Sequence, residues 1–289
     1  MCWYLMIYVG IPFRRFKFTS RLTFQKRVCL QKHRAALVSL TFAEQSEMMR
    51  QPGRIKSVEI LREQGPKSGE LLMHHDDTVA MLREVAAGKR TATLRIYQPN
   101  PTVAFGRRDE LNPGFTAAAQ ACRDLGYDIL VRKVGGHAAA YHTGCLVIDH
   151  FQPAEDAKTG NNLRYKLFGD MYAQALQLVG VDAAVGEIPQ EYCPGEYSVY
   201  ARLGGEHAGE RIKLVGTAQR VIQGGWWFST GIVVYNSTSL REITLRVYDA
   251  LGMPLNPATV GAAEDANPAL LMEDLEDAIL EIYAQNGFK

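Results

Sequence analysis

The stretch EYCPGEYSV (191–199) sets a cysteine directly before Pro194 and Gly195, outside any helical or strand pattern. A thiol at such a place can be a nucleophile, or a small apolar residue at the mouth of a turn. A free thiol has a pKa of about 8.5, so only a few per cent is thiolate at neutral pH. A neighbouring ammonium favours the thiolate, and lowering the pKa to about 7 corresponds to roughly 2 kcal/mol. Lys213 lies twenty residues on, in ERIKLVGTAQR. If 196–203 and 211–222 pair as a hairpin, that lysine returns towards the start of the first strand. Lone cysteines are most often buried hydrophobes, so both readings of Cys193 stand on these residues alone. Cys145 is a rival nucleophile because it directly follows a glycine loop. Cys122 falls in an alanine-rich helix and reads as packing.

That loop, ILVRKVGGHAAAYHTG, leaves a strand through Arg132 and Lys133 and enters Gly135-Gly136. Adjacent glycines let a backbone approach a ligand with no Cβ in the way. Arg132 can hold an anion, and the freed amides can bind a carbonyl or a phosphate. His137 and His142 add two imidazoles to the same loop. The pattern is neither GxGxxG nor a P-loop, so no nucleotide fingerprint is met, and an ordinary turn fits the glycine pair as well. KLVGTAQR (213–220) reads as a lysine-bearing strand followed by a Gly-Thr-Ala turn, again small residues and amides beside a cation. An exposed lysine on a strand is the commoner meaning of such a segment.

The elements that must position these groups mix strands with helices without strict alternation. Strands are expected in KSVEIL, TATLRIYQ, TVAFGR, YDILVRKV, CLVIDHF, 196–203, 211–222 and WWFSTGIVVY. Helices are expected over 73–88, 115–126, 162–180, 238–251 and 269–286, from apolar residues recurring every three and four positions. This order argues for an α+β domain, a single mixed and largely antiparallel sheet flanked by helices. Residues 51–289 are read as one catalytic domain.

The chain has 289 residues, 47% apolar and 22% charged, enough for a sizeable core. A net charge of +1 makes no electrostatic case for nucleic acid as a partner. Eight lysines and arginines and no acid precede Glu44. This basic leader fits a transit peptide or an upstream extension, and residues 1–50 are read as lying outside the fold. Its opening apolar run is about a dozen residues, short of the roughly 20 that span a bilayer, so no membrane partner is expected. Five scattered cysteines without CxxC spacing argue against a disulfide framework or zinc site and fit a reducing cytoplasm. His74-His75 and the loop histidines have no metal-ligand spacing.

Together these segments resemble the lipoate–protein ligase and octanoyltransferase family, related to the biotin protein ligases, over residues 73–235. TLRIYQPNPTVAFGR looks like its entry strands, RKVGGHAAAYHTG like its RRxxGGxAVxH loop, and KLVGTAQR like its K-I-x-G-x-A-Q strand. Lys133 stands where a second Arg is usual, His137 where Gly or Arg is common, and His142 is one residue further on. The resemblance implies a biotin/lipoate protein ligase-like fold. EYCPGEYSV occupies the place of the nucleophilic cysteine in the transferase branch. The resemblance then implies octanoyl transfer through a Cys193 acyl-enzyme, from acyl carrier protein or another acyl donor protein, to a lysine of a lipoyl domain. Lys213 would favour the thiolate, hydrogen-bond the acyl carbonyl and help remove a proton from the amine. Amides of Gly135, Gly136 and Thr217 are expected at the oxyanion, with Gly216 and Ala218 beside them. His137 is expected among the substrate contacts. Arg132 and His142 would line the acyl cleft, and Trp226 and Trp227 would either wall it or pack in the core. No cofactor is expected. Two other readings are an ATP- and magnesium-dependent lipoate ligase, with Cys193 incidental, and a non-catalytic ligase-like binding module.

Overall fold

A computed structural model describes residues 58–63 and 75–288. The expectations for residues 1–50 and for His74 lie outside the described residues. Among the described residues, seven strands form one sheet. In chain order they are β1 (Glu59–Glu63), β2 (Thr93–Tyr97), β6 (Cys145–Pro153), β7 (Ala183–Val185), β8 (Val199–Arg202), β9 (Arg211–Ile222) and β10 (Gly225–Val233). Their spatial order is β1-β2-β6-β10-β9-β8-β7, antiparallel throughout except for the β1–β2 pair. The fold is α+β, as its mixed order of elements led us to expect.

A second sheet of three strands accompanies the large one. It orders β4 (Asp128–Val131), β3 (Thr102–Phe105) and β5 (Ala139–Tyr141). The sequence reading placed Ala139–Tyr141 within a loop. Three residues leave no room for a visible alternation, and pairing with Thr102–Ala104 supplies what local propensity does not.

Among the described residues the α-helices are α1 (His75–Ala86), α2 (Arg107–Glu110), α3 (Phe115–Asp124), α4 (Asn161–Leu178), α5 (Ser237–Ala250), α6 (Ala263–Ala266) and α7 (Met272–Gln285). Successive strand residues point to opposite faces, and β6 shows what covers each. Phe151 joins Val79, Leu82 and Val85 of α1. Its neighbour His150 meets Phe168 of α4 and Tyr283 of α7. Covered on both faces, β6 is buried without alternation from Cys145 to Phe151. The small sheet buries Val103 and Phe105 against Cys122 of α3 and Leu240 and Tyr248 of α5. That packing brings the end of α5 beneath the glycine loop.

Trp226 and Trp227 belong to this core. Trp226 packs on His150 and Phe168, and the Arg164 guanidinium lies 5.3 Å from its ring centre. Trp227 stacks on Phe151 and donates its indole N–H to Asp149 Oδ1 at 2.8 Å. Neither walls the cleft described below. On a strand buried on both faces, each ring finds a core, whichever way it points.

Candidate active site

Cys193 adopts φ +43, in the left-handed region that L-residues rarely enter. Pro194 adds to the restriction, since a residue before proline is pushed from helical backbone. Two side chains hold the strained residue. The Cys193 N–H donates to the Tyr248 hydroxyl at 2.6 Å, and its carbonyl accepts from Lys213 Nζ at 2.8 Å. The same Tyr248 hydroxyl donates to the Ala138 carbonyl at 3.0 Å, tying the cysteine loop to the glycine loop. Strain held in this way aims a side chain at a defined point.

The sulfur points at the glycine loop. Cys193 Sγ accepts from the His137 N–H at 3.2 Å and from Arg132 Nη2 at 3.3 Å. Arg132 Nη2 also donates to the His137 carbonyl. Gly136, at φ +105, makes this approach possible, because a Cβ there would sit 2.8 Å from Sγ. Burial works against the Arg132 charge, but the Cys193 sulfur together with Tyr141 and Tyr248 outweighs it, and the pKa rises above the ordinary arginine value. A guanidinium and a backbone N–H are the groups that stabilise a thiolate.

Lys213 has a different place from the one expected. Tyr200 pairs with Lys213 across the β8–β9 hairpin, which does return the lysine to the cysteine loop. The ladder shifts register between Val199 and Tyr200, so Leu214 is extra, and such a bulge re-aims its neighbours. Lys213 Nζ donates to Glu191 Oε1 at 3.1 Å and to the carbonyls of Tyr192 at 2.9 Å and Cys193 at 2.8 Å. An ammonium has three protons, and all three have acceptors here. The cation that hydrogen-bonds the sulfur is Arg132, and Lys213 fastens the backbone on which the sulfur stands. Glu191 completes the fastening by accepting from Ser198 Oγ at 2.8 Å and the Gly195 N–H at 3.2 Å.

A cleft of about 360 Å3 opens beside the sulfur. Arg132, Cys193 and Lys213 line it, with Gly135 and Gly136 at one side. Gly216, Thr217 and Ala218 line the opposite side as part of strand β9, not as the turn the sequence suggested. β8 pairs with β9 only as far as Val215, which leaves the edge beyond it facing the cleft. His142 does not line the cleft. It is buried, its Nδ1 accepts from the Gly144 N–H at 2.9 Å, and its Nε2 donates to the Asn236 carbonyl at 3.2 Å, so it shapes the β5–β6 turn. His137 reaches the sulfur through its main chain, while its ring Nδ1 lies 2.7 Å from Asp109 Oδ1. The aromatic walls are tyrosines the sequence reading missed: Tyr141, Tyr165, Tyr192 and Tyr197. Tyr192 and Tyr197 flank the cysteine in EYCPGEYSV, and that flanking is the one signal that could have found them.

The sequence model of the lipoyl protein ligase A/B catalytic domain matches residues 75–280. The chain belongs to that family. An octanoyl-GcvH:protein N-octanoyltransferase of Geobacillus kaustophilus is 29% identical over 173 residues, covering 60% of this chain and 58% of that protein. A lipoyl-GcvH:protein N-lipoyltransferase of Listeria monocytogenes is 27% identical over 216 residues, covering 73% of this chain and 72% of that protein. The chain thus spans less than two thirds of the first of these relatives. A lipoate-protein ligase A solved with bound ATP has the same fold, with a TM-score of 0.55 at 16% identity, covering 80% of this chain and 85% of that one.

Within this lipoyl protein ligase A/B domain, the two other described cysteines are sealed. Burial pushes the Cys145 thiol up to about 12 and the Cys122 thiol up to about 11. A short pulse of iodoacetamide at neutral pH is therefore expected to modify Cys193 and spare Cys122 and Cys145, as read by peptide mass mapping. Modification of Cys145 at the rate of Cys193 would contradict this burial. Among the described residues no cluster of His, Cys, Asp and Glu is suited to hold a metal ion, and no helix is long and apolar enough to cross a membrane.

Proposed function

We propose that this domain transfers an octanoyl group from a protein-bound donor to a lysine of a lipoyl domain through a thioester on Cys193. The observation that carries the reading is the sulfur itself: partly exposed in a cleft, on a strained residue, and bracketed by Arg132 Nη2 and the His137 N–H. The names of the relatives support it, since each pairs an acyl-bearing GcvH with a second protein. In the first step Sγ attacks the acyl carbonyl carbon, and the carrier leaves with a proton. In the second the lysine amine attacks the thioester, an amide forms, and the thiol is restored. Covalent catalysis suits two bulky carriers, because each can react in the absence of the other. Among the described residues the buried Arg132 Nε has no hydrogen-bond partner, and it is a donor for the acyl oxygen, beside the Gly135, Gly136 and Thr217 amides.

The ligase reading needs Arg132 and Lys213 to hold an acyl-adenylate. Lys213 has its donors on Glu191 and two carbonyls, and Arg132 Nη2 serves His137 and the sulfur. This commitment favours transfer over adenylation, and no step here calls on ATP or magnesium. The binding-module reading leaves the bracketed sulfur without a purpose.

The test is intact-mass spectrometry after incubation with octanoylated GcvH, and separately with octanoyl acyl carrier protein, each with and without ATP. An octanoyl adduct on the chain without ATP is the expected result. An adduct or product only with ATP and free octanoate would replace this reading with the ligase. The two donors run side by side also decide which carrier supplies the acyl group. The free thiols of Cys122, Cys145 and Cys193 support a reducing compartment such as the cytoplasm as the place of the reaction.

A further inference from the structure

We infer that the ring of Tyr141 is the end stop of the acyl slot and sets the longest acyl chain that Cys193 can accept. The inference rests on the thioester reading above and names the residue that fixes chain length within it. A linear acyl tail is apolar and needs a trough with a floor, a roof and an end that carry no charge. The cleft beside the sulfur supplies all three.

The floor comes from the large sheet. Residues directly opposite one another on paired strands share a face. One such row runs Tyr97, Val147, Gly231, Gly216 across β2, β6, β10 and β9. Side chains fall from an aromatic ring to none along it. A glycine inside a strand weakens it and marks a place where another group comes close. The two glycines have different neighbours. A Cβ on Gly231 would collide with the Tyr141 ring and lie 3.1 Å from its hydroxyl oxygen. A Cβ on Gly216 would meet, among the described residues and within 4 Å, Lys213 Cε alone, at 3.8 Å. The ring therefore fills the space above Gly231, and the space above Gly216 is open.

The roof comes from the small sheet. Ala104 and Ala139 pair across β3 and β5, and both line the cleft. Tyr141 stands two residues after Ala139, on the same face of β5. Its ring reaches from that roof to the floor at Gly231. Further along the same row, Tyr97 and Val147 are buried and packed with the ring in one apolar cluster. Burial pushes the Tyr141 hydroxyl up to about 12, so this wall is uncharged at neutral pH. Arg132 lines the same cleft and holds the sulfur, which gives the polar head of the acyl group its place and leaves the glycine floor to the tail. The other aromatic pair of the cleft, Tyr165 stacked on Tyr197, adjoins Asn162 and Glu196 in the lining, polar groups that suit an alkyl end poorly.

The experiment varies chain length. The full chain is incubated with the hexanoyl, octanoyl, decanoyl and dodecanoyl thioesters of N-acetylcysteamine. The Cys193 thiol displaces N-acetylcysteamine, the acyl group passes to Sγ, and intact mass times the adduct. The natural protein should load dodecanoyl at least about tenfold more slowly than octanoyl, as a closed apolar pocket rejects surplus methylenes. Tyr141→Ala should bring the two to within about threefold, and Tyr141→Leu should narrow the gap by a smaller step. Tyr141→Phe keeps the ring and should keep the natural profile. Gly216→Ala narrows the open part of the floor and should favour hexanoyl over octanoyl. Urea midpoints show which variants are folded, and Tyr141→Leu, which refills the apolar cluster, carries the test if Tyr141→Ala does not fold. An unchanged ratio of dodecanoyl to octanoyl in folded Tyr141→Leu overturns the proposal. A loss equal at every length overturns it too, since the ring would then only support the fold. A changed ratio in Tyr165→Ala, with none in the Tyr141 variants, moves the stop to the tyrosine stack and overturns it as well. Octanoate and dodecanoate titrated by calorimetry into Cys193→Ser, with and without Tyr141→Leu, read the same ratio with no thioester. If the natural protein forms no adduct and the ratio of the free acids moves, the acyl-enzyme fails and the stop stands. If that ratio does not move, the stop fails whatever becomes of the thioester.

Discussion

Cys193→Ser is expected to leave no thioester adduct and to slow octanoyl transfer by at least about 10^3-fold. The substitution changes one atom at the same place in the same cleft. A serine hydroxyl ionises far less readily than a thiol, and one guanidinium with one N–H does not close that gap. The Arg132 and His137 donors that suit a sulfur anion at 3.3 and 3.2 Å would then hold a neutral hydroxyl. The fold should be indifferent, because Cys193 is partly exposed and its backbone holds through Tyr248 and Lys213. Single-turnover transfer to a lipoyl domain, alongside a urea melt, measures both effects. Full turnover by the serine variant would end the covalent mechanism and favour direct transfer or ATP-driven ligation.

Lys213→Met should destabilise the protein by about 3–5 kcal/mol, because it strands a buried charge. The Lys213 and Glu191 side chains are 1% and 0% exposed, so solvent cannot take over when one partner goes. Two carbonyls in the cysteine loop lose their donor as well. The double variant Lys213→Met with Glu191→Leu removes both charges and should recover much of the stability, as replacing a whole buried pair often does. It should not recover transfer, since the loop that aims Cys193 loses Glu191 as the acceptor for Ser198 and Gly195. Urea midpoints of the three proteins, read with transfer rates, test both halves. Equal stability of the single variant and the natural protein would mean that the pair contributes nothing to the loop.

Much of the architecture was legible before any coordinates. The three- and four-residue apolar spacings located the helices over 75–86, 115–124, 161–178, 237–250 and 272–285 to within a few residues. The strands expected over 196–203 and 211–222 do pair as the hairpin that returns Lys213 to the cysteine loop. The double glycine pointed to a close approach, and Gly136 makes one to the sulfur. These features survive in a linear reading because propensity, turn chemistry and backbone freedom act over a few residues.

What meets across the fold could not be read that way. The sulfur's cation is 61 positions away in Arg132, the hydroxyl that pins its backbone is 55 away in Tyr248, and the carboxylate behind His137 is 28 away in Asp109. Glu191 carries no local mark that separates it from a solvated acid, yet it is sealed beneath the loop. His142 and the two tryptophans have residue types fit for a cleft, and packing turned them into a turn brace and two core rings. Residue type and spacing chose the candidates along the chain. Sheet register, one bulge and the seating of α5 under the glycine loop chose the partners, because hydrogen bonds and charge pairs depend on ångström distances that sequence separation does not encode.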